Sequence, residues 1–318
     1  MTTIQQVHWE REVDYVGHPY YVSGNAILHA IAHRLPGDVP EGLQASHGFF
    51  VPGQFGTFPE GHSQTGARPS LGANLPTVET YDDLFLFRHP AHPWLLDSRS
   101  RDALNAHDVR IQSGHPALAH KTIEGQPDDA KKNHRTTRWY VHAFLHAGTT
   151  QSDADVLPID EDILDGLQFG GKRNYGYGET RLKGTQVVDL EALDYGRIAN
   201  ADALAIELVS PYVLDTTYPG ADDRSVPWWW NASRESLRQR EENLLAGDEV
   251  HRLRTIDHGQ VFAYAGDRPI ETARNGIRRV GTHAKYGFGE FRVRPIDDDE
   301  PFTEDIEFAI KSCRAPGS

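Results

Sequence analysis

The chain has 318 residues, 38% of them hydrophobic and 25% charged, the balance of a globular protein with room for two domains that each bury a core. Its apolar runs all fall short of the roughly 18 to 20 residues that a membrane-spanning helix needs, which excludes a helical membrane protein. The formal net charge of -14 comes with more arginine than lysine and with acidic runs such as Asp297 to Glu300, as in proteins from salt-loving organisms, where excess carboxylates keep the surface hydrated. Acidity of that kind reports environment as well as partner and leaves a nucleic-acid ligand open.

The N-terminal stretch MTTIQQVHWEREVDY has no basic segment followed by an apolar core, so it does not read as a secretory signal. The single cysteine, Cys313, leaves no internal disulfide and no thiolate metal cluster, and the expectation is a cytoplasmic protein. IQQVHWEREVDYV predicts a strand. SGNAILHAIAHRL, Ser23 to Leu35, predicts a helix with Ile27, Leu28, Ile31 and Leu35 on one stripe. Residues 36–138 are rich in proline and glycine and follow no clear period; a span of that length implies a folded insertion or an ordered arm.

WYVHAFLHA, Trp139 to Ala147, alternates and predicts a strand; IDEDILDGLQF, Ile159 to Phe169, predicts a short helix with an acidic first turn. A glycine loop follows, then ETRLKGTQVVDL as a strand. The second half opens with ALAIELVSPYVLD, Ala203 to Asp215, as a strand and ASRESLRQREENLLAG, Ala232 to Gly247, as a helix ending at glycine. QVFAYAG is a strand, PIETARNGIRRV a helix with proline in its first turn, GTHAKYGFG a second glycine loop and EFRVRPI a last strand. The tail after Pro295 is acidic and predicts a helix over Glu304 to Lys311.

The two loops are a repeat. YGYGETRL, from Tyr175, returns 111 residues later as YGFGEFRV, from Tyr286, with five of eight positions identical. In both halves the order helix, glycine loop, strand is the same. Each half reads β, α, β, α, loop, β, which suits an α+β fold of two tandem ferredoxin-like (RRM-like) domains, 1–195 with an insertion over about 36–138 and 196–318 with the acidic tail. Both loops carry positive charge: residues 171–184 net +3 and residues 273–294 net +5, so the other 282 residues net -22. An acidic chain that keeps its cations at two loops uses them on an anion.

The loops GGKRNYGYG, Gly170 to Gly178, and GTHAKYGFG, Gly281 to Gly289, together with the SGNAILHAIAHRL helix and the LVSPYVLD strand, resemble the CRISPR-associated RAMP superfamily, whose hallmark is a glycine-rich loop between the last helix and last strand of a ferredoxin-like domain. The second loop departs from that pattern at Thr282, where a second glycine is usual, and residues 36–138 match no part of it. The resemblance implies a CRISPR RNA-binding subunit of an antiviral ribonucleoprotein effector complex, working with other effector subunits, away from membranes, and without cofactor or metal. Glycines let the backbone approach phosphate, arginine and lysine supply charge, and aromatic faces stack bases. The residues so assigned are Gly170, Gly171, Lys172, Arg173, Tyr175, Gly176, Tyr177, Gly178 and Arg181 in the first loop, and Gly281, His283, Lys285, Tyr286, Gly287, Phe288, Gly289 and Arg292 in the second.

Some members of that superfamily are metal-independent endoribonucleases that use a histidine as general base on the ribose 2′-hydroxyl. For this alternative, the resemblance points to His29 and His33, one helical turn apart, with Lys172 or Arg173 steadying the phosphorane. His142 and His146 share a strand face, and either histidine pair has metal-ligand chemistry, but neither brings a third ligand with it. A third reading is a structural or interaction protein whose glycine loops only turn the chain. GYGETR lacks the preceding strand and following helix of a dinucleotide or P-loop site. The run Trp228 to Trp230 cannot face one way throughout, so at least one ring anchors the loop in the core.

Overall fold

The computed structural model describes residues 3–12, 15–17, 21–52, 139–148, 156–217, 225–233, 236–246, 248–279, 281 and 283–296, with short strand segments between 78 and 137. Most of the expected insertion and the helix expected over Glu304 to Lys311 lie outside the described residues. The fold is α+β with antiparallel sheets, and the chain divides into two compact units, Met1–Leu190 and Glu191–Ser318.

The first unit contains β1 (Thr3–Arg11), β2 (Tyr21–Val22), α1 (Gly24–Ala32), β3 (Leu43–Ala45), β4 (Gly48–Pro52), β5 (Trp139–Ala147), α2 (Glu161–Leu164) and β6 (Thr180–Asp189). Its sheet runs β6-β1-β5-β4-β2, with β3 also pairing β5, and every pair is antiparallel. Period-two alternation sends Gln5, Val7 and Trp9 of β1 to one face and Gln6, His8 and Glu10 to the other, all of them buried. α1 starts where the Ser23 side chain accepts from the Ala26 N–H, and it buries Ile27, Leu28 and Ile31. Gly48 lets it come close: a Cβ there would lie 2.6 Å from Val141 Cγ1 and 3.1 Å from Ile27 Cδ1.

The helix expected over Ile159 to Phe169 is limited to Glu161–Leu164, because side chains from other elements take the backbone groups that would extend it. The Gln5 amide donates to Ile159 O at 2.9 Å and accepts from Ile159 N at 2.8 Å. The Trp9 indole donates to Leu164 O at 2.7 Å, and the Arg34 guanidinium donates to Asp165 O. The chain itself leaves the helix at this point: Asp165 is extended, at ψ 141°, and Gly166 is left-handed, at φ 67°.

The second unit contains α3 (Gly196–Ala199), β7 (Leu204–Leu208), β8 (Tyr212–Thr216), β9 (Trp230–Asn231), β10 (Gln239–Ala246), β11 (Glu249–Ile256), β12 (Val261–Tyr264), α4 (Pro269–Arg278) and β13 (Phe291–Pro295). They form two antiparallel sheets, β9-β12-β7-β13 and β8-β11-β10. α4 lies directly on β13 at Gly276, where a Cβ would come 2.5 Å from Phe291 O.

Two expectations are corrected here. The strand read over Ala203 to Asp215 is two strands in different sheets, parted at Val209–Pro211, where Val209 N and Ser210 N both donate to Glu290 O at 2.8 and 3.0 Å. The helix read over Ala232 to Gly247 is β10, paired residue by residue with β11 from Gln239↔Ile256 to Ala246↔Glu249. Glutamate, arginine and leucine favour helix by only a few tenths of a kcal/mol each, and tertiary pairing outweighs that. Leu244 goes into a cluster with Val213, Leu253 and Phe288, while Leu245 is 50% exposed, the alternation of a strand. Gly247-Asp248, between alternating segments, is the hairpin signal in the sequence.

Trp9→Phe keeps the edge contact of this ring with Phe169 but removes the only donor on the indole, leaving a buried carbonyl at Leu164. A loss of about 1 to 3 kcal/mol is expected, read as a lower urea midpoint for the first unit at unchanged slope.

Candidate nucleic-acid interface

The sequence repeat is also a conformational repeat. Each loop makes one 3-10 turn, Arg173–Tyr175 or Ala284–Tyr286, and then a glycine, an aromatic and a second glycine. The paired glycines match in backbone: φ is 81° at Gly176 and 99° at Gly287, then 77° at Gly178 and 82° at Gly289. The leading glycines Gly170 and Gly281 are left-handed as well, at 81° and 98°. At Gly178 a Cβ would overlap the carbonyl of Phe169, whose N–H donates to Gly178 O at 2.9 Å. Glycine is required there by both angle and space.

What surrounds the two loops differs. The first closes on its own stem: Thr180 donates to Leu167 O through N at 3.0 Å and Oγ1 at 2.8 Å. Beyond that stem Gly171, Lys172, Arg173, Asn174 and Tyr175 are exposed, Tyr175 to 82%, while Tyr177 is half-buried and Gly178 buried. Lys172 is left-handed at φ 57°, a conformation that costs a non-glycine residue about 1 to 2 kcal/mol. Arg181 is exposed on the following strand and pairs with Glu12 at 3.4 Å.

The second loop is fastened to the body of its unit. Gly289 N donates to Pro211 O at 2.8 Å and Glu290 N to Ser210 Oγ at 2.8 Å. Phe288 belongs to the Val213, Leu244 and Leu253 cluster, and Tyr286 packs against it. His283 is buried, and that burial, followed by the neighbouring His251, holds its pKa below the ordinary histidine value. Of the eight positions assigned to this loop, Gly281 and Lys285 are exposed, Tyr286 is half-buried, and His283, Gly287, Phe288, Gly289 and Arg292 are buried.

Most of the positive charge of this second island is used internally. Arg292 is 2% exposed and pairs with Glu290; Arg294 pairs with Glu207 at 3.1 Å. Arg274 stands 5.0 Å over the Tyr195 ring. Arg279, left-handed at φ 71°, donates through Nε to Ala284 O at 2.8 Å, and burial lowers its pKa to about 10. Net charge counted along the sequence registers all of these arginines, and burial removes most of them from the surface.

His29 is exposed on α1, and His33, the residue that caps the C-terminal end of α1, is exposed as well. The His29 pKa lies below the ordinary value because of partial burial first, then the charges of His33 and Arg173. Arg173 of the first loop is near enough to His29 for its charge to oppose protonation of that ring. Arg34 belongs to the same group and is not among the residues that the sequence singles out; its position after His33, at the end of the helical stripe, is the available signal. Its bond to Asp165 O ties α1 to the turn before the loop. His142 and His146 are buried, with the His142 ring 5.3 Å from His8. Among the described residues no three histidine, cysteine or carboxylate side chains are grouped as a metal site. Trp230 is buried against Tyr212 and Phe262, Trp229 packs on Phe291, and Trp228 is 75% exposed.

Gly176→Ala meets open space and is expected to cost about 1 to 2 kcal/mol from its left-handed angle alone, whereas Gly178→Ala must also open the stem at Phe169. Urea unfolding of the two variants is expected to show the larger loss for Gly178→Ala. The chain matches no protein-family model, and no curated protein matches it.

Proposed function

We propose that the first glycine loop, residues 170–178, grips single-stranded RNA, and that the chain is a non-catalytic CRISPR RNA-binding subunit of an antiviral effector complex, of the RAMP type. The observation that carries this reading is the exposure of Lys172, Arg173, Asn174 and Tyr175 together on a stem-closed loop, in a chain of net charge -14. The left-handed Lys172 followed by a 3-10 turn curves the backbone into the kind of concavity that collects anions, and the exposed Tyr175 ring offers a base a face to stack on. Strand order supports a ferredoxin-like reading of both units. Counting β1, β4, β5 and β6 as first to fourth, the first sheet runs 4-1-3-2, and β7, β9, β12 and β13 give the same order in the second. Among the described residues of the second unit, the stretch between β7 and β12 shows no α-helix in the place of the first helix of that pattern.

A metal-independent endoribonuclease is the second reading, favoured by one observation: His29 stays neutral more readily than an ordinary histidine and lies beside Arg173, a base next to a phosphate-binding cation. That reading expects one defined cut in repeat RNA with EDTA present, abolished in His29→Ala or His33→Ala. Intact RNA after long incubation leaves the binding reading alone.

For the binding reading, Arg173→Glu and Tyr175→Ala are each expected to weaken a labelled single-stranded RNA by roughly tenfold at fixed salt, since one base stack or one phosphate contact is worth about 1 to 3 kcal/mol. Lys285→Glu is expected to change it less, and Arg292→Gln to lower the stability of the second unit instead. RNA retention by Arg173→Glu equal to that of the unaltered chain would sink the proposal.

A further inference from the structure

We propose that the outer edge of β6, from Thr185 to Asp189, pairs antiparallel with the same edge of a second copy of this chain, about a two-fold axis at Val187. The inference is independent of the RNA reading. β6 ends the first sheet, and among the described residues β1 is its only strand partner. Its ladder shows which backbone groups face outward. Glu12 N donates to Glu179 O at 3.0 Å, whereas Thr180 N turns away to Leu167 O at 3.0 Å and Leu182 N to the Asp165 carboxylate at 2.8 Å. Even-numbered residues of β6 therefore face outward up to Leu182. The register then slips by one at Lys183, since Trp9 pairs with Leu182 and His8 with Gly184, and the outward positions beyond it are Thr185, Val187 and Asp189.

The start of this edge is closed by the loop stem, and the rest is open. Gly184 to Val188 has no charged residue and no proline, and Val187 is 51% exposed. Natural sheets protect a free edge with charge, proline or short length. β10, at the edge of the three-stranded sheet of the second unit, does so with Arg240, Glu241 and Glu242. Symmetry and charge name the occupant of the unprotected edge. The outward residues are symmetric about Val187, so in an antiparallel copy Val187 exchanges bonds with its own counterpart and Thr185 with Asp189 of the partner copy. Val187 lies on the same face as Gln5, and the two exposed valines then cover one another. β6 carries Arg181 and Lys183 near its start and Asp189 at its end, so antiparallel pairing sets unlike ends together and keeps like charges apart. The strand stops at Asp189 and the stem holds Leu182, which leaves room for a short ladder and points to a weak, concentration-dependent dimer.

The test is sedimentation equilibrium of the nuclease-treated full chain, 35.6 kDa, at fixed salt from about 1 to about 500 µM, where weak interfaces of this kind associate. The average mass is expected to rise toward twice the monomer value. Amide exchange followed by mass spectrometry is expected to slow over residues 183–189 as concentration rises. Val187→Lys, which sets like charges opposite each other on the axis, is expected to weaken the dimer by about tenfold, and Val187→Ile to leave it unchanged or tighter. Val187 is exposed, and circular dichroism checks that the variants fold. A chain that stays monomeric at the top of the range overturns the proposal. So does a Val187→Lys variant that dimerises as the unaltered chain does, or a dimer whose 183–189 amides exchange at the monomer rate. The RNA reading stands or falls separately, on Arg173→Glu.

Discussion

The grip of β1 on the segment that follows β5 is the interaction on which the first unit depends. β1 lies between β5 and β6 in the sheet, and from its helix-facing side Gln5 clamps both backbone groups of Ile159 while Trp9 holds the carbonyl of Leu164. These bonds are buried and join residues more than 150 positions apart, so they form only when the sheet forms. With the segment pinned, Phe169 packs edge-on against Trp9 and the stem Leu167–Phe169 closes onto Gly178–Thr180. The base of the loop is thereby part of the core.

The same local fold serves two ends because conformation and environment are separable. Left-handed glycines and a 3-10 turn are set by residues within a few positions of one another, and the two loops share them. Their surroundings are set by distant chain. In the second unit the break between β7 and β8 accepts and donates hydrogen bonds along Gly289 and Glu290, and the hairpin β10–β11 supplies Leu244 and Leu253 to enclose Phe288. A loop enclosed in this way stabilises its unit. In the first unit, Gly171 to Tyr175 stay in solvent, where their charge and aromatic surface face water.

Legibility follows the range of the interactions involved. β5, α1 and α4 are readable because their signals are local: alternation over nine residues in WYVHAFLHA, an apolar stripe behind a serine cap, a proline at a first turn. The hairpin reads as helix because QREENLLA has good helix formers, and only the partner strand reveals that Leu244 and Leu245 face opposite ways. Arg292 reads as a ligand-binding residue for a similar reason. An arginine beside a glycine loop looks like a cation on offer, and the carboxylate that neutralises it, Glu290, sits two positions away, just before a strand that has to be placed in the interior first.

By itself, the sequence determined that two glycine loops of one conformation exist, where they stand between helix and strand, and that both carry concentrated positive charge, because backbone angle and local charge depend on near neighbours. Only the tertiary structure decided which of those charges reach water. Burial is a property of distant segments meeting, and it turned one basic island inward as ion pairs and left Lys172, Arg173 and the Tyr175 ring outside, with the Arg173 charge acting on His29 of α1.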